Sequence, residues 1–149
     1  MTEEIDARLL DFIRDHRVAH LATANAKGMP HVVPICYAFD GKRVFMALDR
    51  KPKRAKLKSL RRVKNILENP NVCLVIDDYN EDWQRLGFVM INGKARLLED
   101  GPRQAKAVEM LNRKYPQYAA MGIEGCPVVE ILVDKVVAWS GARKGDNGE

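Results

Sequence analysis

The spacing of hydrophobic positions changes several times along the chain, and each change predicts an element. Over residues 3–16, Ile5, Leu9, Phe12 and Ile13 recur at helical spacing among charged residues, which predicts an amphipathic helix with Thr2 as its N-cap. Residues 18–24 predict a short strand, and Asn25-Ala26-Lys27-Gly28 supplies turn residues. A second strand is expected over 30–39, where Pro34 suits an edge or a bulge. Asp40-Gly41 signals a hairpin into a third strand over 43–48. Leu57, Leu60, Val63, Lys64 and Leu67 return to a period near 3.6, and Asn69-Pro70 stops that helix. Strands follow over 72–76 and 88–98, separated by a polar loop carrying Trp83. A helix capped by Asp100, with Pro102 in its first turn, turns Val108, Leu111 and Tyr115 inward. Two closing strands, 128–133 and 135–139, complete the pattern. Short strands joined by hairpins, without a βαβ period, predict a mainly β protein: an antiparallel barrel with flanking helices.

Size and composition narrow this picture only slightly. A chain of 149 residues, 46% hydrophobic and 30% charged, suits one globular domain, expected over residues 1–140 with a flexible polar tail at 141–149. No apolar run approaches the roughly 18–20 residues that span a membrane. The N-terminal stretch carries Glu3, Glu4, Asp6 and Asp11 and has no apolar core, so it does not read as a signal peptide; a cytoplasmic location is expected. Cys36, Cys73 and Cys126 are odd in number, lack a CxxC pair and sit in apolar stretches, so buried free thiols are expected rather than a metal or disulfide role.

Charge changes the picture more. The net charge of +5 arises from one segment: residues 50–64 hold nine Lys or Arg and no acid, leaving sixteen basic and twenty acidic side chains elsewhere. Nine like charges repel at helical spacing, a cost that a bound anion relieves; otherwise the segment is a solvated helix face. It runs from a strand end into a helix, where backbone N–H groups and Arg forks commonly grip phosphate. Nucleic acid competes as the partner, but the segment contains no aromatic residue for base stacking and no known nucleic-acid-binding signature accompanies it. His16, His20 and His31 lack metal-ligand spacing: His16 suits a helix C-terminus, His20 reads as a structural strand residue, and His31 opens the second strand with some functional potential. GxSxG, GxxxxGK[ST], HExxH and GxGxxG are all absent. Trp83, in an acidic loop, and Trp139, at the end of the last strand, suit stacking on a planar ring, an interface or plain packing.

Four stretches carry a resemblance: His31-Val32-Val33-Pro34-Ile35, Val44-Phe45-Met46-Ala47-Leu48, the run from Leu60 to Val72 containing Arg61-Arg62, and Trp83 followed by Val89-Met90-Ile91-Asn92-Gly93-Lys94-Ala95. Their order and spacing resemble the pyridoxamine 5′-phosphate oxidase-like split-barrel superfamily over residues 5–139, with the branch of probable F420-dependent enzymes the most similar. The resemblance implies a six-stranded split barrel forming a homodimer, with F420 or FMN bound between subunits and hydride exchanged with a small organic substrate. It implies that Arg61 and Arg62 grip the cofactor phosphate, that Ala47 and Leu48 lie along its ring and ribityl chain, and that His31 sits near a flavin-holding position. Arg50, Lys51, Lys53, Arg54 and Lys58 would suit a longer anionic tail, which favours F420 over FMN. Phe88 stands where the oxidases carry a Gln, and their C-terminal Arg-x-His motif is missing, so pyridoxamine phosphate oxidase activity itself is not expected. Trp83, Phe88 and Trp139 remain candidates for the ring pocket, and no catalytic residue is assigned. The alternatives are a basic module for nucleic acid or another acidic polymer, and a flavin or haem carrier.

Overall fold

The computed structural model describes residues 5–49 and 59–142. Seven strands form one antiparallel sheet: β1 (Ala19–Ala24), β2 (Pro30–Ile35), β3 (Ala38–Phe39), β4 (Arg43–Ala47), β5 (Asn71–Asp78), β6 (Gly87–Leu98) and β7 (Val128–Ser140). Their order is β2-β1-β5-β6-β7-β4-β3. The sheet curls around an apolar core shared by all seven strands, including Leu21, Val44, Leu74, Ile91 and Ile131. Helix α1 (Ala7–Asp15) buries Ile13 in that core, and α2 (Arg61–Glu68) inserts Val63 and Ile66. On the outer side, α3 (Pro102–Lys114) and α4 (Pro116–Met121) cover β3, β4 and the start of β7 through Ala107, Leu111, Tyr118, Phe45 and Val128. Fold class and the placement of α1, α2 and α3 match the reading of the sequence, while α4 was not expected from it.

The strand count is seven rather than the six implied by resemblance, and two boundaries differ. The stretch expected as one strand over 30–39 breaks after Ile35, because the Tyr37 N–H donates to the Tyr115 hydroxyl (3.0 Å) instead of joining a ladder. The Tyr37 hydroxyl donates in turn to the Ile13 carbonyl (2.5 Å), tying α1 to the break. Conversely, the two closing strands are one: β7 runs through, with Asp134 bulged out where the register shifts opposite Asn92 and Gly93. Gly93 is needed there, since a Cβ would lie 2.5 Å from the Leu132 carbonyl oxygen. Pro34 does lie on an edge strand, as expected.

The caps are also corrected. Asp6 precedes α1, its carboxylate accepting from Leu9 N–H (2.9 Å), and Thr2 lies outside the described residues. Gly101 at φ 100°, not Asp100, precedes α3, where the chain must turn sharply before Pro102. All three cysteines are free, but only Cys126 is buried; Cys36 and Cys73 are partly exposed. No helix among the described residues is long and apolar enough to cross a membrane.

Candidate cofactor site

At the end of the sheet where β1 passes into β2, a tight turn is built by one side chain. The Asn25 carboxamide oxygen accepts from Lys27 N–H (2.9 Å) and Met29 N–H (3.0 Å), while Gly28 adopts φ 82°. Glu68 at the far end of α2 holds the turn through Ala26 N–H (2.9 Å). Asn65, buried on α2, donates from Nδ2 to Thr23 Oγ1 on β1 (3.0 Å), which locks the helix across the end of the barrel. Leu60 leads into α2 without a side-chain cap of its own.

Between this helix start and the β1–β2 turn lies a cavity of about 300 Å³, lined by Asn25, Met29, Pro30, His31, Arg61 and Asn65. His31 Nδ1, Arg62 Nε and Asn65 Oδ1 are buried without a hydrogen-bond partner. Buried polar atoms are normally satisfied, so His31 Nδ1 and Arg62 Nε point to a ligand that offers acceptors, whereas Asn65 Oδ1 calls for a donor. The donors are an imidazole and guanidinium groups at the start of a helix, a set suited to phosphate oxygens. Arg61 lines the cavity directly; Arg62, next on the helix, does not. Arg50, Lys51, Lys53, Arg54 and Lys58 lie outside the described residues.

The aromatic candidates gather elsewhere. Phe88 and Trp139 are cross-strand partners on β6 and β7, with ring centroids 5.9 Å apart and planes 22° from parallel. They line a cleft of about 540 Å³ between α1 and the sheet, together with Leu9, Phe12, Asp78 and Gln84. Trp83 stands beside it on a single 3-10 turn (Trp83–Arg85), 68% exposed, and Gly141 passes so close beneath the Trp83 carbonyl that a side chain would collide. The strand register puts this cleft at the Asp78, Gly87 and Ser140 end of the sheet, opposite the Asn71 end beside the first cavity. A single chain therefore does not bring His31 and Arg61 to Phe88 and Trp139. Ala47 and Leu48 are 5% and 1% exposed, with side chains committed to the two cores, so their strand end offers a ligand backbone rather than side chains.

Two histidines differ from the sequence reading. His20 is exposed on the outer face rather than packed. His16 does end α1, and it also bridges: Nδ1 meets the Phe12 carbonyl (2.8 Å) and Nε2 meets the Asp78 carboxylate at the rim of the aromatic cleft (2.7 Å). The separation of 62 residues hid that pair. A second grouping went unread: Lys114 Nζ is buried without an acceptor, 3.9 Å from the Tyr37 ring centroid.

Comparison with known proteins agrees with this architecture. A reductase of 5a,11a-dehydrotetracycline and 5a,11a-dehydrooxytetracycline from Streptomyces rimosus is 27% identical over 139 residues, covering 91% of this chain and 95% of the reductase. A FAD-binding protein from Mesorhizobium loti superposes with a TM-score of 0.67 at 18% identity, covering 88% of this chain and 89% of the other. HutZ, a haem storage protein from Vibrio cholerae, superposes with a TM-score of 0.70 at 12% identity, covering 93% and 95%. At these identities the two structures share the fold. Residues 5–140 match the pyridoxamine 5′-phosphate oxidase family, to which this chain belongs.

Proposed function

We propose that this protein is an oxidoreductase that binds F420 or FMN at the interface of a homodimer and reduces an unsaturated small organic molecule. The observation that carries the reading is the cavity at the start of α2, lined by Arg61 and by His31, whose Nδ1 is buried and unpartnered, with Arg62 next along the helix. These groups hold the cofactor phosphate. Hydride transfer is the chemistry that the bound ring supplies. The protein positions the ring, and the Phe88–Trp139 pair offers a flat apolar surface for it or for the substrate. The reductase from Streptomyces rimosus supports the reaction class. The basic residues Arg50 to Arg54 favour F420, whose anionic tail extends beyond the phosphate.

The two half-sites lie at opposite ends of one sheet, and a two-fold axis perpendicular to the strands exchanges those ends. A partner copy on the outer face of β2, β1, β5 and β6 then brings the aromatic end of one chain to the phosphate cavity of the other. The central part of that face carries apolar residues, Val32 being 63% exposed and Ala22, Val75 and Met90 partly so, with His20 and Asp77 among them and Lys94 and Arg96 at the far end of β6. Helices α3 and α4 cover other strands and leave it bare.

The test is optical. Purified protein is titrated with F420, FMN and haem, and binding is followed by fluorescence and visible absorption. F420 is expected to bind most tightly and to lose the most affinity with added salt. Arg61→Ala should weaken cofactor binding about tenfold or more, and Arg61→Lys should recover only part of it, because the guanidinium fork is lost. A Soret band with haem and no flavin binding would sink the reading. So would equal losses from Arg61→Ala/Arg62→Ala and Lys56→Ala/Lys64→Ala together with tight nucleic-acid binding, since a polymer reads pooled charge.

A further inference from the structure

Away from both half-sites, the outer face of β4, β7 and β6 carries a cationic cluster of unusual composition. Its centre is Glu130 on β7, whose side chain is only 4% exposed. Arg96 Nε donates to Oε1 (2.9 Å), and Arg103 Nη1 donates to both oxygens (3.1 and 2.9 Å). Arg43 Nε stands 3.6 Å from Oε2. Beside them Lys94 pairs with Asp134 (3.1 Å). Four cations thus face two carboxylates, and three of the four share one.

One arginine in contact with both oxygens is enough to compensate a buried carboxylate, and Arg103 makes that contact from Nη1 alone, without a two-nitrogen fork. The other two guanidiniums engage Glu130 only through Nε, so their planar Nη ends are not the groups it holds. Strand pairing fixes their bases: Arg43 and Lys94 both sit opposite Leu132, and Arg96 sits opposite Glu130. These side chains enclose a cavity of about 250 Å³, with Leu132, itself 44% exposed, as its apolar wall. Held apart by a rigid β ladder and steered by one buried carboxylate, the guanidinium ends make a concave receptor carrying surplus positive charge.

We propose that this cleft is a second anion site, taking a small dianionic oxyanion such as a phosphate group or a dicarboxylate. Glu130 is its positioning residue, aiming Arg96 and Arg103, while Arg43 and Lys94 supply the flanking charge. The site does not depend on the cofactor reading. It lies on the outer face, whereas the α2 cavity lies at the barrel end, and the two share no lining residue.

Inorganic phosphate and succinate, each matched for ionic strength with chloride, are titrated into isotopically labelled protein while backbone amide shifts are followed. Saturable shifts at Arg96, Arg103 and Glu130 are expected, with the tighter of the two anions identifying the source as tetrahedral or carboxylate. Arg43→Ala/Arg96→Ala should weaken that response about fivefold or more without moving shifts at His31 and Arg61. Should the double variant fail to fold, Arg96→Gln, at a half-exposed position, reads the same loss. Arg61→Ala/Arg62→Ala should leave the response intact, which separates failure here from failure of the cofactor reading. No saturable shift around Glu130 with either anion, or an undiminished response in the arginine variants, overturns the proposal. Binding of a hexaglutamate peptide without a response to either small anion would instead make this a docking surface for an acidic chain and also overturn it.

Discussion

Lys114 shows how far a single residue's chemistry can be set by packing. Its ammonium lies over the Tyr37 ring without an acceptor, and burial, then the Arg17 charge, push its pKa down to about 8. Burial also raises the neighbouring tyrosines, Tyr115 to about 12 and Tyr37 and Tyr118 further. The two effects have opposite signs in stability. Between pH 8 and about 10 the unfolded lysine holds a proton that the folded one has lost, so stability rises with pH. Above about 10 the unfolded tyrosines release protons that the folded ones keep, so stability falls. Denaturant unfolding at a series of pH values should therefore show a rise and then a decline. Lys114→Met should abolish the rise alone; a variant profile parallel to the parent would show that Lys114 does not carry the slope.

At the scale of elements, periodicity revealed nearly every helix and strand but not where the ladder stops or slips. Hydrophobic alternation continues across Ile35 and Cys36 into Tyr37, and only the distant Tyr115 hydroxyl decides that the Tyr37 backbone leaves the ladder. The slip at Gly93 was equally hidden, because Ile91, Gly93 and Ala95 read as one inward face whether or not β7 carries an extra residue. The candidate site was legible in part for the same reason. The basic segment declared a charge excess, and of the residues singled out in the sequence His31 and Arg61 line one cavity while Arg62 does not. The separation of Phe88 and Trp139 from them depends on strand order, which local pattern does not encode. The bulge carries its own prediction. Gly93→Ala places a methyl 2.5 Å from the Leu132 carbonyl and 2.8 Å from Ile131 Cγ2, so backbone must move. A loss of roughly 1–3 kcal/mol is expected in denaturant unfolding; parent-like stability would mean that the bulge relaxes freely.

For the molecule as a whole, the proposed function requires two copies. Sedimentation at micromolar concentration should give about twice the 16.9 kDa chain mass, and substituting Val32 and Met90 with Asp should yield monomers with impaired cofactor binding. A monomeric parent protein that binds cofactor at full strength would refute the shared site. The strand order adds a constraint on how copies can meet. Both outermost strands are poor templates for another chain: β2 carries Pro30 and Pro34, which have no N–H to donate, and β3 is only two residues long. A sheet so blunted at both margins resists growth into fibrils by strand addition. Its margins leave evolution and mutation little opportunity to join copies side by side, so changes in assembly must be written on the faces of the sheet.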